Sequence, residues 1–433
     1  MSPSFKNILV FIYIGAIGLM ISFSGFNPFA KDAIQLVNAE LSLYYWADKS
    51  REGEKSVLTS NFGFNQAHDG RDAESLLSVD TDLDWKFDEF QREEDQELAM
   101  PAVDSSGIYF GAPTSHIIAV SHQGTRLWSF QGRPGSNGFV GSPIVDKDSL
   151  FVGTKNGSFY LLRKSDGHPL WTLHHPDKKL IFVQGSSQFL FLVVRNKDKQ
   201  DQLLKIERAT GKILWEKSEL NSTVVFQPSV DVQNSLILLP LDNGTLLALD
   251  TKKGEKKWEY FDQGSYSSPP IVVEGETYLS TQQGEFLALE NLGGSLKWKS
   301  DLGSKTKARA TWIPDIDILF LGLKSGEWKA INRKTGTHRW GIQSKTNLSQ
   351  SISGIVVKTL PKNKWRIWVA CSENKICAID PMWGRIEKRI LMETELKGTP
   401  VSQGRSFYLI PNSDWGLQKF SKSREGSTAS STN

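Results

Sequence analysis

The chain has 433 residues, 39% hydrophobic and 23% charged, a balance that supplies a globular core and excludes a disordered or fibrous chain. Its net charge is +3, and no lysine- or arginine-rich run is interleaved with aromatics, so nucleic acid is not an expected partner. Two cysteines, Cys371 and Cys377, exclude a disulfide scaffold and a cysteine-based zinc site.

The first element in the chain is apolar. No charged residue occurs from Asn7 to Ala30, and Ile8 to Phe23 is almost wholly apolar behind Lys6. This stretch is long for the apolar part of a secretory signal and slightly short for a membrane span. It reads either as an uncleaved anchor through residues 8–25 or as a cleaved signal, with Ser22-Phe23-Ser24 as a small-x-small option. Both readings place everything after residue 31 outside the cytoplasm. No cysteine stands near it for a lipoprotein-type attachment. Beyond it, Ala33, Ile34, Leu36, Val37 and Leu41 suggest one short amphipathic helix, and residues 47–82 read as a linker.

From Trp85 onward the chain repeats. A tryptophan closes a short glycine-containing turn at Trp128, Trp171, Trp215, Trp258, Trp298 and Trp340, at steps of 43, 44, 43, 40 and 42 residues. Ten residues before each turn glycine stands a second turn position: Thr114, Gly157, Asp201, Gly244, Gly284 and Gly326. Apolar runs such as Leu246-Leu247-Ala248-Leu249-Asp250 lie between the two turns and read as short strands. Two more units, Asn374 to Gly384 and Gly416 to Gly426, keep the ten-residue step without the tryptophan, and Lys388 stands in its place after the first. Each unit reads as four strands, with Asn156-Gly157 supplying a two-residue hairpin turn in the second unit. So small a sheet cannot bury both faces alone, whereas sheets stacked around an axis can. The expected fold is all-β, an eight-bladed β-propeller of four-stranded antiparallel blades. The phased tryptophans are expected to wedge between neighbouring blades, each burying roughly 150–250 Å². Prolines 101, 143, 228, 269 or 270, and 400 sit at the first strand, an edge where a missing N–H is tolerated.

The last unit runs through Val401, Phe407 to Ile410 and Leu417 to Phe420 into a polar tail, with no fourth strand of its own. Far upstream, Leu83-Asp84-Trp85-Lys86-Phe87 matches Leu127-Trp128-Ser129-Phe130 and lies 43 residues before Trp128. Trp85 and Phe87 are therefore expected to complete the final blade and remove the open edge. The implied organisation is an anchor or signal over 1–30, a linker over 31–82, a propeller over 83–421 and a disordered tail over 422–433.

The pattern G-x-[LF]-x-A-[LI]-[DEN]-x-x-x-G-x-x-x-W is clearest at Gly244–Trp258, Gly284–Trp298 and Gly326–Trp340, and it resembles the PQQ-like, quinoprotein-type propeller repeat. The resemblance covers roughly residues 84–421. One branch of that family comprises the quinoprotein dehydrogenases. It implies pyrroloquinoline quinone, calcium, a vicinal cysteine pair, a catalytic aspartate and a tryptophan floor under the cofactor. Here the cysteines lie six apart. A hairpin at Ser372–Lys375 would pair Cys371 with Ile376 and send the two sulfurs to opposite faces, so no disulfide is expected either. The blades are also too compact for the insertions that build a catalytic lid. The other branch is the cofactor-free propeller of the outer-membrane β-barrel assembly machinery, which implies a periplasmic scaffold binding a partner. Its typical member is a lipoprotein, and this chain lacks the cysteine for that.

No catalytic, cofactor or metal site is expected. The seven histidines show no ligand spacing, with His174-His175 in a polar loop, and Asp84, Asp146, Asp231 and Asp250 fall at turns and strand ends. Asn156 and Asn243 match a glycosylation pattern but sit in tight hairpins. Trp85, Trp128, Trp171, Trp215, Trp258, Trp298 and Trp340 are assigned to blade packing. Trp328, Trp365, Trp368, Trp383 and Trp415 are candidates for a partner surface on an irregular, basic seventh blade, with local core packing as the competing reading. The expected function is a monomeric, membrane-directed, extracytoplasmic scaffold for protein partners in the cell envelope. A quinone-dependent dehydrogenase and a glycan- or polymer-binding propeller are the alternatives.

Overall fold

The structure is a computed structural model that describes residues 71–78, 81–88, 101–112, 115–134, 138–186, 188–306, 308–343, 355–360, 364–372, 375–391, 401–403, 406–409 and 417–422. The apolar segment, the helix suggested at 33–41, Trp46, Trp415 and residues 423–433 lie outside the described residues. The chain divides into units 1–56 and 57–433, and every described residue belongs to the second.

The described strands form eight sheets, seven of four strands and one of five. The fourth sheet shows how the repeat dictates the structure. Its strands Ser229–Asp231, Leu236–Pro240, Thr245–Asp250 and Lys256–Phe261 pair antiparallel in chain order. Leu236–Pro240 is buried along its whole length and Thr245–Asp250 nearly so. Their side chains alternate between two faces, so both faces must be covered by neighbouring sheets. Lys256–Phe261 has only Trp258 buried, as suits an outermost strand. Pro101, Pro143, Pro228 and Pro270 each directly precede a first strand, at the edge where proline costs no ladder hydrogen bond.

Apolar layers between consecutive sheets make the core. Phe191, Val193 and Leu203 of the third sheet interleave with Ile237, Leu239, Leu247 and Leu249 of the fourth. Phe87, Val401, Tyr408 and Leu417 of the eighth sheet pack with Val103, Ile108, Phe110 and Ile118 of the first. Thr81–Phe87 is the outer strand of that eighth sheet, paired antiparallel to Leu417–Lys422 with Trp85 opposite Lys419 and Phe87 opposite Leu417. The first and last strands in the repeat region thus meet in one sheet.

Two features differ from the sequence reading. Arg71–Ser78, within the stretch read as a linker, is a strand that pairs parallel to Ile355–Leu360, the first strand of the seventh sheet. The cysteines, expected to diverge, are joined, with Cα atoms 5.7 Å apart. Ala370 faces Ile376 and Ser372 faces Lys375, so Cys371 is an extra residue in a bulge. That insertion breaks strict alternation and brings its sulfur round to Cys377. Closing so short a loop is expected to add about 2 kcal/mol, so a Cys371→Ser/Cys377→Ser chain should unfold at correspondingly lower urea. An unchanged midpoint would contradict a contribution from the bond.

Candidate functional site

Seven of the eight repeats convert their consensus letters into one device. The Trp258 indole N–H donates to the Asn291 carbonyl of the next sheet at 2.6 Å, and its ring lies over Gly294. The same donation runs from Trp85 to His122, Trp128 to Lys164, Trp171 to Arg208, Trp215 to Thr251, Trp298 to Arg333 and Trp340 to Pro381, at 2.8–3.4 Å. Six of the seven accepting residues stand directly after the third strand and three residues before the turn glycine, and His122 stands one residue later. The preceding [DEN] residue fixes that turn: Asp250 accepts the Lys252, Lys253 and Glu255 N–H groups, and Asp380 those of Met382 and Trp383. The turn glycine takes a positive φ and leaves room for the ring.

The side chain at the accepting position often reaches the preceding sheet as well. Lys164 pairs with Asp104 at 2.6 Å, and Asn291 donates to Asp231 at 2.6 Å. Arg208 donates to the Ile144 and Ser149 carbonyls, and its burial pushes the guanidinium down to about 10. Arg333 contacts Glu274 at 2.7 Å, Glu276 at 2.9 Å and Asp317. Burial works against its charge, but hydrogen bonds to Asp317 and Tyr278 outweigh that and hold it above the usual range. Arg333→Met is expected to cost about 3 kcal/mol in urea unfolding, because Glu276, only 15% exposed, is left without its cation while the more exposed Glu274 and Asp317 turn to water. A loss under about 1 kcal/mol would show that water replaces the guanidinium.

At the junction of eighth and first sheets, the His122 carbonyl accepts from both Trp85 and Lys419. The His122 ring bridges the Tyr408 hydroxyl and the Asp104 carbonyl, each at 2.7 Å. Lys419 also pairs with Asp84 at 2.8 Å. Sequence reasoning placed the tryptophans but not their carbonyl acceptors or these reach-back side chains. The recurring polar residue after [DEN] was the available signal.

The sequence-derived candidates separate sharply. Trp328, Trp365 and Trp368 are buried, at 1%, 8% and 0% exposure, and so cannot form a partner surface. Trp328 fits opposite Gly322 in the sixth sheet and, with Trp365, fills the layer between sixth and seventh sheets. Trp383 is 69% exposed, in the turn between Lys375–Asp380 and Arg385–Leu391. Met382 beside it is also exposed, as are Leu292 and Val232. All four lie in turns joining first to second or third to fourth strands, so antiparallel alternation puts them at one edge of their sheets. Val232 and Leu292 each follow a member of the Asp231–Asn291 pair that bridges the fourth and fifth sheets.

Other polar candidates serve local structure. Asp146 accepts from the Lys147 N–H, His174 bonds Ser158 at 2.9 Å, and Asn156 and Asn243 bond within their turns. Among the described residues no group of three or more His, Cys, Asp or Glu could hold a metal ion. The two cysteines are bonded to each other across a hairpin and are not the vicinal pair of the quinoprotein dehydrogenase branch.

The family profile described as outer membrane protein assembly factor BamB, of the PQQ_2 repeat type, matches residues 85–180 and 199–379. The chain belongs to this family. It is 28% identical over 175 residues to the outer membrane protein assembly factor BamB of Yersinia pestis, an alignment covering 37% of this chain and 43% of that protein. It thus spans less than half the length of the curated BamB relative. Among solved structures, BamB from Moraxella catarrhalis superposes with a TM-score of 0.61 at 14% identity, covering 80% of this chain and 99% of that one. The quinohemoprotein alcohol dehydrogenase of Comamonas testosteroni gives 0.69 at 11% identity, covering 86% and 82%. At these identities the likeness shows a shared propeller fold. Chemistry has to be argued from the residues.

Proposed function

We propose that the chain is a non-catalytic scaffold that binds protein partners in outer-membrane protein assembly. Its eight sheets close into an eight-bladed, monomeric propeller over residues 83–421. The observation that carries this reading is where the consensus residues go. In a chain matching the BamB family across most of its repeats, the phased tryptophans join one sheet to the next over the turn glycine, and the [DEN] residue holds that turn. The turn edge bearing Val232, Leu292, Met382 and Trp383 supplies exposed apolar side chains of the kind partners bury.

An extracytoplasmic, envelope location is supported by the Cys371–Cys377 bond, since such bonds persist in oxidising compartments. The apolar stretch at residues 8–25 would direct the chain to the membrane as anchor or signal. Equilibrium dialysis of the full chain against pyrroloquinoline quinone with calcium tests the non-catalytic reading. No saturable binding is expected, whereas about one quinone per chain would establish the dehydrogenase alternative.

A further inference from the structure

Among the described residues, one seam between sheets lacks the phased tryptophan clasp. In the sixth, fifth and fourth sheets, Ala330, Ala288 and Ala248 of the third strand face Trp340, Trp298 and Trp258 of the fourth. In the seventh, Ala378 at the same register faces Lys388. The seventh sheet therefore lacks the phased indole towards the eighth, although Trp368, opposite Ala378 on the second strand, is buried on that same face. It is also the sheet with a fifth strand. Arg71–Ser78 adds to the inner edge of Ile355–Leu360, with Leu77 beside Thr359, and lies against Val401–Gln403, Ser406–Leu409 and Leu417–Lys422 of the eighth sheet. The added strand thus touches both sides of the seam that lacks the phased tryptophan.

We propose that Arg71–Ser78 is an intramolecular strand latch that holds the seventh sheet to the eighth, in place of the missing tryptophan. The inner edge of Ile355–Leu360 is accordingly a strand-accepting site, recognising an extended backbone through parallel ladder hydrogen bonds, with the chain's own Arg71–Ser78 as occupant. This inference goes beyond the scaffold reading and does not depend on it. It implies that tension on the residues preceding Arg71 reaches this seam before any other.

The test uses the full-length chain. Leu77→Cys with Thr359→Cys should form a cross-link under mild oxidation, identified by peptide mapping, while Leu77→Cys with Val272→Cys, on the first strand of the fifth sheet, should not. Separately, Leu77→Pro removes a ladder donor. Amide exchange at 355–360 and 401–403 should then accelerate about tenfold or more, with 271–273 unchanged. Adding Lys388→Trp to that variant should restore protection at 401–403. No cross-link above the control pair, or unchanged exchange at 401–403 in the proline variant, would overturn the latch. These readouts involve no partner, so their failure leaves the scaffold reading standing.

Discussion

Replacing Trp85 and Phe87 together with alanine is expected to abolish the native state rather than fray one sheet. Phe87 is buried in the layer joining the eighth sheet to the first, edge-on to Phe110 at 6.2 Å. Trp85 adds the indole bond to His122 and covers Gly124. Each truncation should cost about 3–5 kcal/mol from lost burial and the cavity left behind. Their sum approaches or exceeds the roughly 5–15 kcal/mol by which domains are stable, with some non-additivity because the sites are neighbours. The double variant should show no native baseline in urea at 25 °C, while Trp85→Ala alone keeps a shifted transition. A double variant with an unchanged midpoint would mean that the first and eighth sheets hold together without their shared strand.

Trp258→Ala should be the most costly single loss among the remaining clasps, about 3–5 kcal/mol. Trp258 is 8% exposed and makes the shortest indole bond of the set. Its glycine partner gives a sharper test. A methyl group on Gly294 would lie 2.5 Å from the Trp258 ring, at a φ of +74°. Gly294→Ala is therefore expected to cost about 1–3 kcal/mol from strain and displacement of the ring. Gly293 has its nearest atom at 3.6 Å, in a side chain, and no positive φ. Gly293→Ala should stay within about 0.5 kcal/mol of the parent. Equal effects at 293 and 294 would show that turn flexibility rather than ring contact sets the cost.

Much of the fold was legible because the repeat writes each structural need into one position. The glycine marks a turn with left-handed backbone, the [DEN] residue caps it, and the tryptophan crosses to the next sheet. The match of Leu83–Phe87 to Leu127–Phe130 likewise revealed the closing strand. What escaped the sequence depends on where side chains point across a register. Trp328 looked surface-bound until Gly322 proved to stand opposite it, and Trp365 and Trp368 sit on buried strand positions that no periodic signal distinguishes from an exposed insertion. The cysteine pairing failed for a related reason: alternation assumes an unbroken ladder, and one inserted residue at Cys371 reverses its facing. Arg71–Ser78 carries no alternation strong enough to announce a strand, since a parallel inner edge supplies its hydrogen bonds. The site is less legible than the fold, because a partner surface needs only a few exposed apolar residues and leaves no spacing rule.

The proposed scaffold role requires a protein of the outer-membrane assembly apparatus to dock on the turn edge. Photo-cross-linking from position 383 tests it most directly, with the tryptophan replaced by a photoreactive residue in the full chain in its native envelope and the captured species identified by mass spectrometry. Capture of an outer-membrane assembly protein is expected from position 383, and none from an outer-strand position such as 299. Capture of no envelope protein from position 383, with about one quinone bound per chain in the dialysis experiment, would contradict it.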